Sequence, residues 1–423
     1  MELIEWFGGE VTRLALTNPA RARRLLLTGY RANLAALHLP AMNPQLSPGR
    51  RYAAITVMKV IIRSLSRGEN GALVSLFTPC EPLSAAGIAP YSLEAVSGYL
   101  AGTHCETRFQ ENAVEHGSPD TLCSYHRTFC GAAETGLLPP PRFIVYTSLA
   151  CDGNMVTFPY LAKKFDVPCF FIDVPYEKSE DAVQDVARQL AQMKTFVEDV
   201  THRRVTDEAL RAAVRRSRVS AETYLRYLAA ERERRLPDDA TGEMFAAFMA
   251  RILLGTPEAE TYFSRIAQDI AKAPLSRAKR LVWVHAIPNM QPSLRRIMNF
   301  SDKAFITGCE LCYDSLFIPQ DENDPYGSMA RRLVYSGYNG SYQGRVDNAL
   351  RMAKLTDADG AVIFAHFGCK ATLGAAQLMK AALEAQGLPA LVLDGDACSP
   401  ASTGDGQLAT RLEAFLEMLE AAQ

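Results

Sequence analysis

Residues 143–173 read FIVYTSLACDGNMVTFPYLAKKFDVPCFFID, and this stretch determines the fold that the sequence predicts. It contains two short apolar runs, 143–147 and 169–173, that are rich in β-branched and aromatic residues. Such continuous runs are typical of strands in a parallel sheet that is covered on both faces. The segment 158–165 between them predicts a short helical crossover. The stretch therefore predicts a strand–helix–strand unit with parallel strands.

The same alternation returns in the second half of the chain. Four further apolar runs predict strands, at 280–284, 304–306, 361–365 and 390–394. Helices are predicted over 373–386 and 408–421, and Gly387 is expected to end the first of them as the residue after its C-cap. This half of the chain therefore predicts a second doubly wound sheet.

The rest of the chain reads as helical. Residues 4–66 show helical patterning, and Ser179 is a predicted N-cap of a long helix. A second long helix is predicted to open at Thr206 and to run towards Arg235, and a further helix is predicted over 243–271. The sequence thus predicts an α/β fold: two doubly wound Rossmann/flavodoxin-like parallel-sheet domains, with a helical N-terminal part and a helical middle segment. The predicted regions are a helical N-terminal region 1–66, a first α/β domain 67–200, a helical connecting region 201–275 and a second α/β domain 276–423.

Composition narrows the class of protein. The chain has 423 residues, 48% of them hydrophobic, which is enough for two or three domains with buried cores. The formal net charge is −2, so no broad basic surface is implied and we expect no nucleic-acid partner. The local arginine clusters are predicted to be solvated faces, with a contact to CoA phosphates as the alternative. These clusters are Arg21, Arg23, Arg24 and the pair Arg50–Arg51.

The absence of targeting segments and of common enzyme motifs argues against further classes of protein. No apolar run approaches the ~20 residues of a membrane helix, so no membrane partner is expected. The chain begins MELIE, with acids where a signal peptide carries positive charge, and we therefore expect a cytoplasmic protein. In such a protein, ten cysteines are not expected to form a disulfide framework. The motifs GxGxxG, GxxxxGK[ST], HExxH and GxSxG are absent from the sequence, so no nucleotide cofactor is expected.

Two cysteines follow predicted strands. Cys151 comes just after the strand that ends at Thr147, and Cys369 comes just after the strand that ends at Ala365. Open α/β sheets bind ligands in the crevice at the carboxyl ends of their strands. Cysteine thiolates in that position could bind zinc or an iron–sulfur cluster. The alternative is that both cysteines are buried, unreactive thiols.

Other cysteines could add ligands to such a site. Cys123 and Cys130 are predicted to lie in the loop before the first strand of the quoted stretch, and Cys309 and Cys312 form a CxxC pair after the run at 304–306. No second CxxC or HxxxH completes a structural zinc site, so structural zinc is disfavoured. The pattern alone leaves a functional metal and buried thiols both open.

Several motifs, in the same order along the chain, resemble the 2-hydroxyacyl-CoA dehydratase and benzoyl-CoA reductase family. TSLACDGNMVTFPYLAKKFDVPCFFIDVPY at 147–176 resembles the central motif of that family, and CSYHRTFCG at 123–131 resembles the segment that precedes it. TPCEPLSAAGIAP at 78–90 resembles an earlier segment. DGAVIFAHFGCKATLGA at 359–375 and LDGDACSPASTGDGQLATRLEAFLEML at 393–419 resemble the third cysteine motif and the C-terminal end.

The resemblance implies one [4Fe-4S] cluster held by three cysteines, and the motif matches assign these ligands to Cys123, Cys151 and Cys369. Three thiolates leave one iron open to water or to a substrate oxygen, as a catalytic zinc keeps an open position. Cys130 is an alternative to Cys123, and Cys309, with Cys312 beside it, is in reserve as a ligand that could replace or join the three.

A double-cubane cluster occurs in relatives within this superfamily and needs more cysteine ligands. The segment 334–345 contains no cysteine where that branch is expected to carry one, so a single cluster is favoured. The remaining cysteines are predicted to be structural, namely Cys80, Cys105, Cys169 and Cys398.

Residues beside the motifs gain candidate roles. His366 is expected to hydrogen-bond the thioester oxygen or to move a proton, with a backbone-bonded histidine as the alternative. Glu81 is a candidate for proton transfer, with a loop or cap carboxylate as the alternative. Ser148 and Asn154 are expected to donate hydrogen bonds to cluster sulfur. Lys370 is expected to attract CoA phosphate or to tune the charge of the cluster, with a surface lysine as the alternative.

The resemblance also implies a reaction and its partners. The reaction is removal of water from an (R)-2-hydroxyacyl-CoA through a ketyl radical anion, which forms when the cluster passes one electron to the thioester carbonyl. The implied partners are the acyl-CoA substrate, a homologous second dehydratase subunit and an ATP-dependent iron–sulfur activator protein. A benzoyl-CoA-type aryl-CoA reductase subunit and a non-catalytic iron–sulfur electron-transfer scaffold are the alternatives.

Overall fold

The computed structural model of the chain describes residues 2–42 and 44–421. Four residues that the predicted regions 1–66 and 276–423 include lie outside the described residues, namely Met1, Asn43, Ala422 and Gln423. The described part contains eight strands in two sheets of four. The strands are β1 Gly71–Val74, β2 Ala89–Ser92, β3 Phe143–Thr147, β4 Cys169–Ile172, β5 Lys279–Val284, β6 Ala304–Cys309, β7 Gly360–His366 and β8 Ala390–Gly395.

Both sheets are parallel and share one topology. The strand orders are β2-β1-β3-β4 and β6-β5-β7-β8, and every neighbouring pair is parallel. In each sheet the chain adds one strand on one side of the first strand and the next two on its other side. The order therefore changes direction between β1 and β3, and again between β5 and β7, which is the doubly wound arrangement. The predicted α/β class with two parallel sheets is confirmed.

Helices surround both sheets. Seven of the eight strands are fully or mostly buried, as expected where helices cover the sheet. The exception is the edge strand β4, in which Cys169 is exposed and only Ile172 is buried. The helices are α1 Glu2–Thr17, α2 Pro19–Leu37, α3 Pro48–Ser66, α4 Glu81–Ala85, α5 Leu93–Ala101, α6 Glu106–Glu115, α7 Ser124–Glu134, α8 Asp152–Phe165, α9 Glu180–Thr201, α10 Asp207–Ala230, α11 Ala240–Arg251, α12 Pro257–Lys272, α13 Pro292–Met298, α14 Glu310–Tyr313, α15 Pro325–Val334, α16 Gln343–Thr356, α17 Lys370–Leu373, α18 Ala376–Ala385 and α19 Asp405–Ala421.

Several predicted helix ends are confirmed. The Ser179 hydroxyl accepts a hydrogen bond from the backbone N–H of Ala182 at the start of α9, and Thr206 caps α10 through the N–H of Ala209. Gly387 follows the C-cap of α18 with φ +81°, a left-handed conformation that glycine adopts without steric cost. These side-chain caps and this glycine thus set the helix ends at the positions that the sequence predicted.

Other predicted boundaries were wrong. The helix predicted over 243–271 is two helices, because Gly255 has φ +86° and Pro257 starts α12. The helix predicted over 373–386 corresponds to α18, which begins three residues later, at Ala376, and only residue 373 belongs to the preceding α17. The crossover helix predicted over 158–165 already begins at Asp152. Sequence patterning missed β1 and β2, which have only four residues each.

The prediction that Arg50 lies on a solvated face was also wrong. Its guanidinium is buried and pairs with Asp238 at 2.8 Å and Glu243 at 2.6 Å. It also donates hydrogen bonds to the hydroxyls of Tyr227 and Tyr262, both at 3.0 Å. Arginine is suited to such a site because its planar fork satisfies several acceptors at once. Arg50 thereby ties α3 to the helical middle segment.

The first arginine cluster behaves partly as predicted. Arg21 and Arg24 are exposed, whereas Arg23 is half-buried and donates hydrogen bonds to the carbonyls of Leu137 and Gly136. In the described ranges, no helix combines the length and the apolar character needed to cross a membrane.

Candidate functional site

A cavity of about 960 Å³ opens at the carboxyl ends of both sheets. Its wall includes residues that follow the four central strands: Phe77 after β1, Cys151 after β3, His285 after β5 and Cys369 after β7. These strands flank the two points at which the strand order changes direction, where open α/β sheets bind ligands. Helices α1, α2, α3 and α11 provide much of the remaining wall.

Three of the ten cysteines line this cavity, and they are the three that the motifs indicated: Cys123, Cys151 and Cys369. Cys123 and Cys151 are the N-cap residues of α7 and α8. Gly368 has φ +77°, and a Cβ atom at this position would lie 2.8 Å from the Cα atom of Cys123. The structure therefore needs glycine here, because any side chain would push the loop of Cys369 away from Cys123.

Backbone amides partly offset the rise in pKa that burial causes at two of the thiols. The N–H of Tyr125 acts on the Cys123 thiol, and the N–H groups of Gly153 and Asn154 act on the Cys151 thiol. Such donors favour thiolate over thiol. Each of the three thiols also faces one histidine. The Nε2–Sγ distances are 3.3 Å for His366 and Cys123, 3.4 Å for His126 and Cys151, and 3.4 Å for His285 and Cys369.

Burial sets the charge of these groups. It raises the pKa of the Cys151 thiol to about 12 and that of Cys123 well above its ordinary value, and the neighbouring thiols raise both further. Burial also lowers the pKa of His126 to about 4 and that of His285 well below its ordinary value. Neutral imidazoles cannot balance three thiolates, so ionisation of all three requires a cationic group at the site. Soft sulfur ligands in a cavity with a largely apolar wall fit an iron–sulfur cluster.

A single metal ion fits the site less well. Within residues 2–42 and 44–421, no three His, Cys, Asp or Glu side chains converge closely enough to hold one ion. An iron–sulfur cluster distributes its thiolate ligands over different iron atoms, so its ligands stand further apart than those of one ion.

The cavity thiols lie within a match to a known family. A sequence model described as 2-hydroxyglutaryl-CoA dehydratase, D-component, matches residues 75–419, a range that includes all three cavity cysteines. The chain belongs to this family. The family membership that the sequence motifs predicted is therefore confirmed.

Two relatives extend this finding. The (R)-phenyllactyl-CoA dehydratase alpha subunit of Clostridium sporogenes is 21% identical over 384 residues, which cover 85% of this chain and 92% of the relative. The lactoyl-CoA dehydratase subunit alpha of Anaerotignum propionicum is 24% identical over 403 residues, which cover 84% of this chain and 92% of the relative. Family and relatives together confirm the predicted class, a hydro-lyase component of the 2-hydroxyacyl-CoA dehydratase family.

In this dehydratase component, the reserve cysteines lie outside the described cavity wall. The Cys309 thiol donates to the carbonyl of His285 at 3.1 Å, and the Cys312 thiol donates to the carbonyl of Glu243 at 3.7 Å. Cys130 was predicted in a loop but lies inside α7, where burial raises its pKa to about 12. These thiols therefore behave as buried structural groups.

The structure places the two predicted sulfur donors differently. Asn154 lines the cavity, and its backbone N–H donates a hydrogen bond to the carbonyl of Cys151 at 3.1 Å. Its side-chain Nδ2 donates to the carbonyl of Thr147 at 3.4 Å rather than to sulfur. Ser148 donates to the Asp173 carboxylate at 3.0 Å and accepts the N–H of Val174, so its hydroxyl is engaged outside the cavity wall.

Glu81 and Lys370 also lie outside the described cavity wall. Glu81 is fully buried, accepts a hydrogen bond from Ser217 at 2.7 Å and forms an ion pair with Arg332. Glu81 is the first residue of α4, and its role in proton transfer stays a prediction. The side chain of Lys370 is 84% exposed and lies 3.7 Å from Asp152, which matches the surface-lysine alternative.

His366 lines the cavity, and both of its ring nitrogens have partners among the described residues. Nδ1 accepts the N–H of Ala397 at 3.2 Å, and Nε2 faces Cys123. The contact of His366 with a thioester oxygen, or its transfer of a proton, stays a prediction. His126 and His285 were missed. The position of His285 directly after β5 is the same strand-end signal that identified the cysteines.

The contact at Gly368 gives a testable prediction. Gly368→Ala adds a steric clash with the Cys123 backbone to the cost of a left-handed non-glycine residue, about 1–2 kcal/mol. Gly387→Ala is the matched control, because its φ is +81° and no atom lies within 4 Å of the added Cβ. Urea unfolding should show a larger loss of unfolding free energy for Gly368→Ala. Equal losses in the two variants would contradict the close contact.

Proposed function

We propose that this chain is the cluster-carrying subunit of an (R)-2-hydroxyacyl-CoA dehydratase, with one [4Fe-4S] cluster bound by Cys123, Cys151 and Cys369. The observation that carries the proposal is that these three thiols, drawn from both halves of the chain, meet in one cavity. Family membership supplies the substrate class. When bound, the cluster would supply one electron for reduction of the thioester carbonyl. Loss of the α-hydroxyl and of a β-proton together as water, followed by return of the electron to the cluster, would leave the reaction redox-neutral.

The chain contributes a dry and shaped environment. Rings of Phe77 and Tyr338 pack at 4.9 Å, and those of Tyr99 and Phe245 stack at 6.5 Å, and all four line the cavity. An apolar wall excludes water and so protects a low-potential cluster and reactive intermediates from side reactions. The same wall positions an apolar acyl chain.

The charges in the wall indicate which acyl group the site accepts. Arg50 lines the cavity as a buried cation, but Asp238 and Glu243 already engage its guanidinium. A further buried carboxylate, Glu94, has its pKa raised to about 7 by burial. A substrate carboxylate beside Arg50 would meet acids that already neutralise this cation, so we infer that the part of the acyl chain that lies there is neutral and apolar.

The proposal includes two protein partners. Both relatives are named as alpha subunits, which supports a homologous second subunit for this chain. The sequence lacks GxxxxGK[ST], which agrees with ATP hydrolysis by a separate iron–sulfur activator that delivers the electron.

Iron content tests the cluster. Protein made and purified without oxygen should contain about four iron and four sulfide per chain. Cys369→Ser should lose most of this iron and its charge-transfer absorption while far-UV circular dichroism stays unchanged. Cys398→Ser is the matched control, because Cys398 is buried, donates to the carbonyl of Ser97 at 3.8 Å and lies outside the cavity wall. Full iron in Cys369→Ser, or zinc in the parent protein, would refute the assignment.

Turnover tests the division of labour. The isolated chain should not convert (R)-phenyllactyl-CoA, whereas addition of the second subunit, activator, ATP and a low-potential reductant should restore conversion. The complete system should have a higher kcat/KM for (R)-phenyllactyl-CoA than for (R)-2-hydroxyglutaryl-CoA, because the wall is apolar. Conversion by the isolated chain would contradict the proposed partners. Consumption of two electrons per product would favour the aryl-CoA reductase alternative.

A further inference from the structure

The buried histidines of the chain lie beside the cavity cysteines. The chain has seven histidines, and four of them are exposed: His38, His104, His116 and His202. The other three are His126, His285 and His366, and each places Nε2 within 3.4 Å of a different cavity thiol. One imidazole per thiol is a pattern that the proposed cluster ligands alone do not explain.

The tautomer of His366 follows from its contacts. The backbone N–H of Ala397 donates to Nδ1, so Nδ1 carries no proton and Nε2 is the N–H that points to Cys123. The Asp396 carboxylate lies 3.9 Å from Nδ1 but already accepts three hydrogen bonds on the same oxygen, from Ser124 and from two backbone amides. The ring is therefore held as an N–H donor towards sulfur.

His126 is held in a similar way. Its Nδ1 lies 2.9 Å from the Thr157 hydroxyl, which can donate to it, and Nε2 lies 3.4 Å from Cys151. Gly153 makes room for the ring, because a Cβ at that position would lie 3.1 Å from Nε2. A side chain at 153 would displace the imidazole from the thiol.

His285 is held by its backbone. Its φ is +78°, which is an uncommon conformation for a residue with a side chain and persists only where the surroundings enforce it. The Cys309 thiol donates to its carbonyl, which gives the CxxC cysteine a role as an anchor for this residue. The buried Nδ1 has no hydrogen-bond partner among the described residues, so the ring meets Cys369 through Nε2.

We propose that His126, His285 and His366 are positioning residues that each donate an Nε2–H···S hydrogen bond to one thiolate ligand of the cluster. This proposal rests on the proposed function, because it requires a cluster on Cys123, Cys151 and Cys369. Hydrogen bonds to cluster sulfur disperse negative charge and stabilise the reduced state, so they raise the reduction potential. Three such bonds bring the cluster within reach of an electron donor while the apolar wall keeps it dry.

The test measures the reduction potential of the cluster by anaerobic redox titration with electron paramagnetic resonance, beside iron content. His126→Leu, His285→Leu and His366→Leu should each shift the potential to more negative values at unchanged iron content. The matching Gln variants retain an N–H donor and should recover part of the shift. His116→Leu is the control, because His116 is exposed and lies outside the cavity wall, and it should leave the potential unchanged.

Unchanged potentials in all three Leu variants with full iron would overturn the proposal. Where a Leu variant loses iron, the Gln variant decides: retained iron supports hydrogen-bond donation, and loss of iron in the Gln variant also overturns it. A parent protein without iron would refute the proposed function itself. Iron-replete variants with the parent potential would refute only the role of the histidines.

Discussion

The contact between the loop after β7 and the backbone of Cys123 determines where the rest of the site can form. Gly368 places Cys369 beside Cys123, and the hydrogen bond from Ser124 to Asp396, at 2.6 Å, fastens the start of α7 to the loop after β8. Cys123 precedes the third strand of one sheet, and Cys369 follows the third strand of the other. The two sheets are thus joined at their carboxyl ends, and the cavity lies where they meet.

Buried ion pairs fix the elements around this junction. Arg345 binds Glu310 through two hydrogen bonds of 2.7 and 2.6 Å and also donates to the carbonyl of Ala371 and the hydroxyl of Thr372. It therefore holds α17, the turn that begins directly after Cys369. Arg50 does the same for the helical wall on the other side. Removing one partner of such a pair leaves a buried charge without compensation, so these pairs determine a specific arrangement more than they add net stability.

Local rules predicted much of the fold. The apolar runs of β3 and β7 are long enough to be recognised, and the caps at Ser179 and Thr206 act within a few residues of their own position. The strands β1 (GALV) and β2 (APYS) were not predicted because small residues and a proline interrupt the β-branched and aromatic run by which β3 and β4 were recognised. The burial of Arg50 was not predicted because the carboxylates that pair with it lie about two hundred positions away in the chain.

Part of the candidate site was also predicted, but from strand-end positions and motif resemblance rather than from helix caps and apolar runs. Cys151 and Cys369 stand out because they follow strands, and Cys123 was identified through motif resemblance. His126 and His285 carry no pattern that separates a histidine beside sulfur from a histidine in a core. Their role depends on distances across the two sheets, which no local property of the sequence encodes. The placement of Glu81 in an ion pair with Arg332 is a long-range contact of the same kind.

The most direct test of the cluster assignment is an anomalous difference map at the iron absorption edge, from crystals of the protein grown without oxygen. A [4Fe-4S] cluster at this site predicts one compact iron feature in the cavity, in contact with the sulfur atoms of Cys123, Cys151 and Cys369. Iron at Cys309 and Cys312, or a cavity without iron in protein that contains iron by analysis, would contradict it.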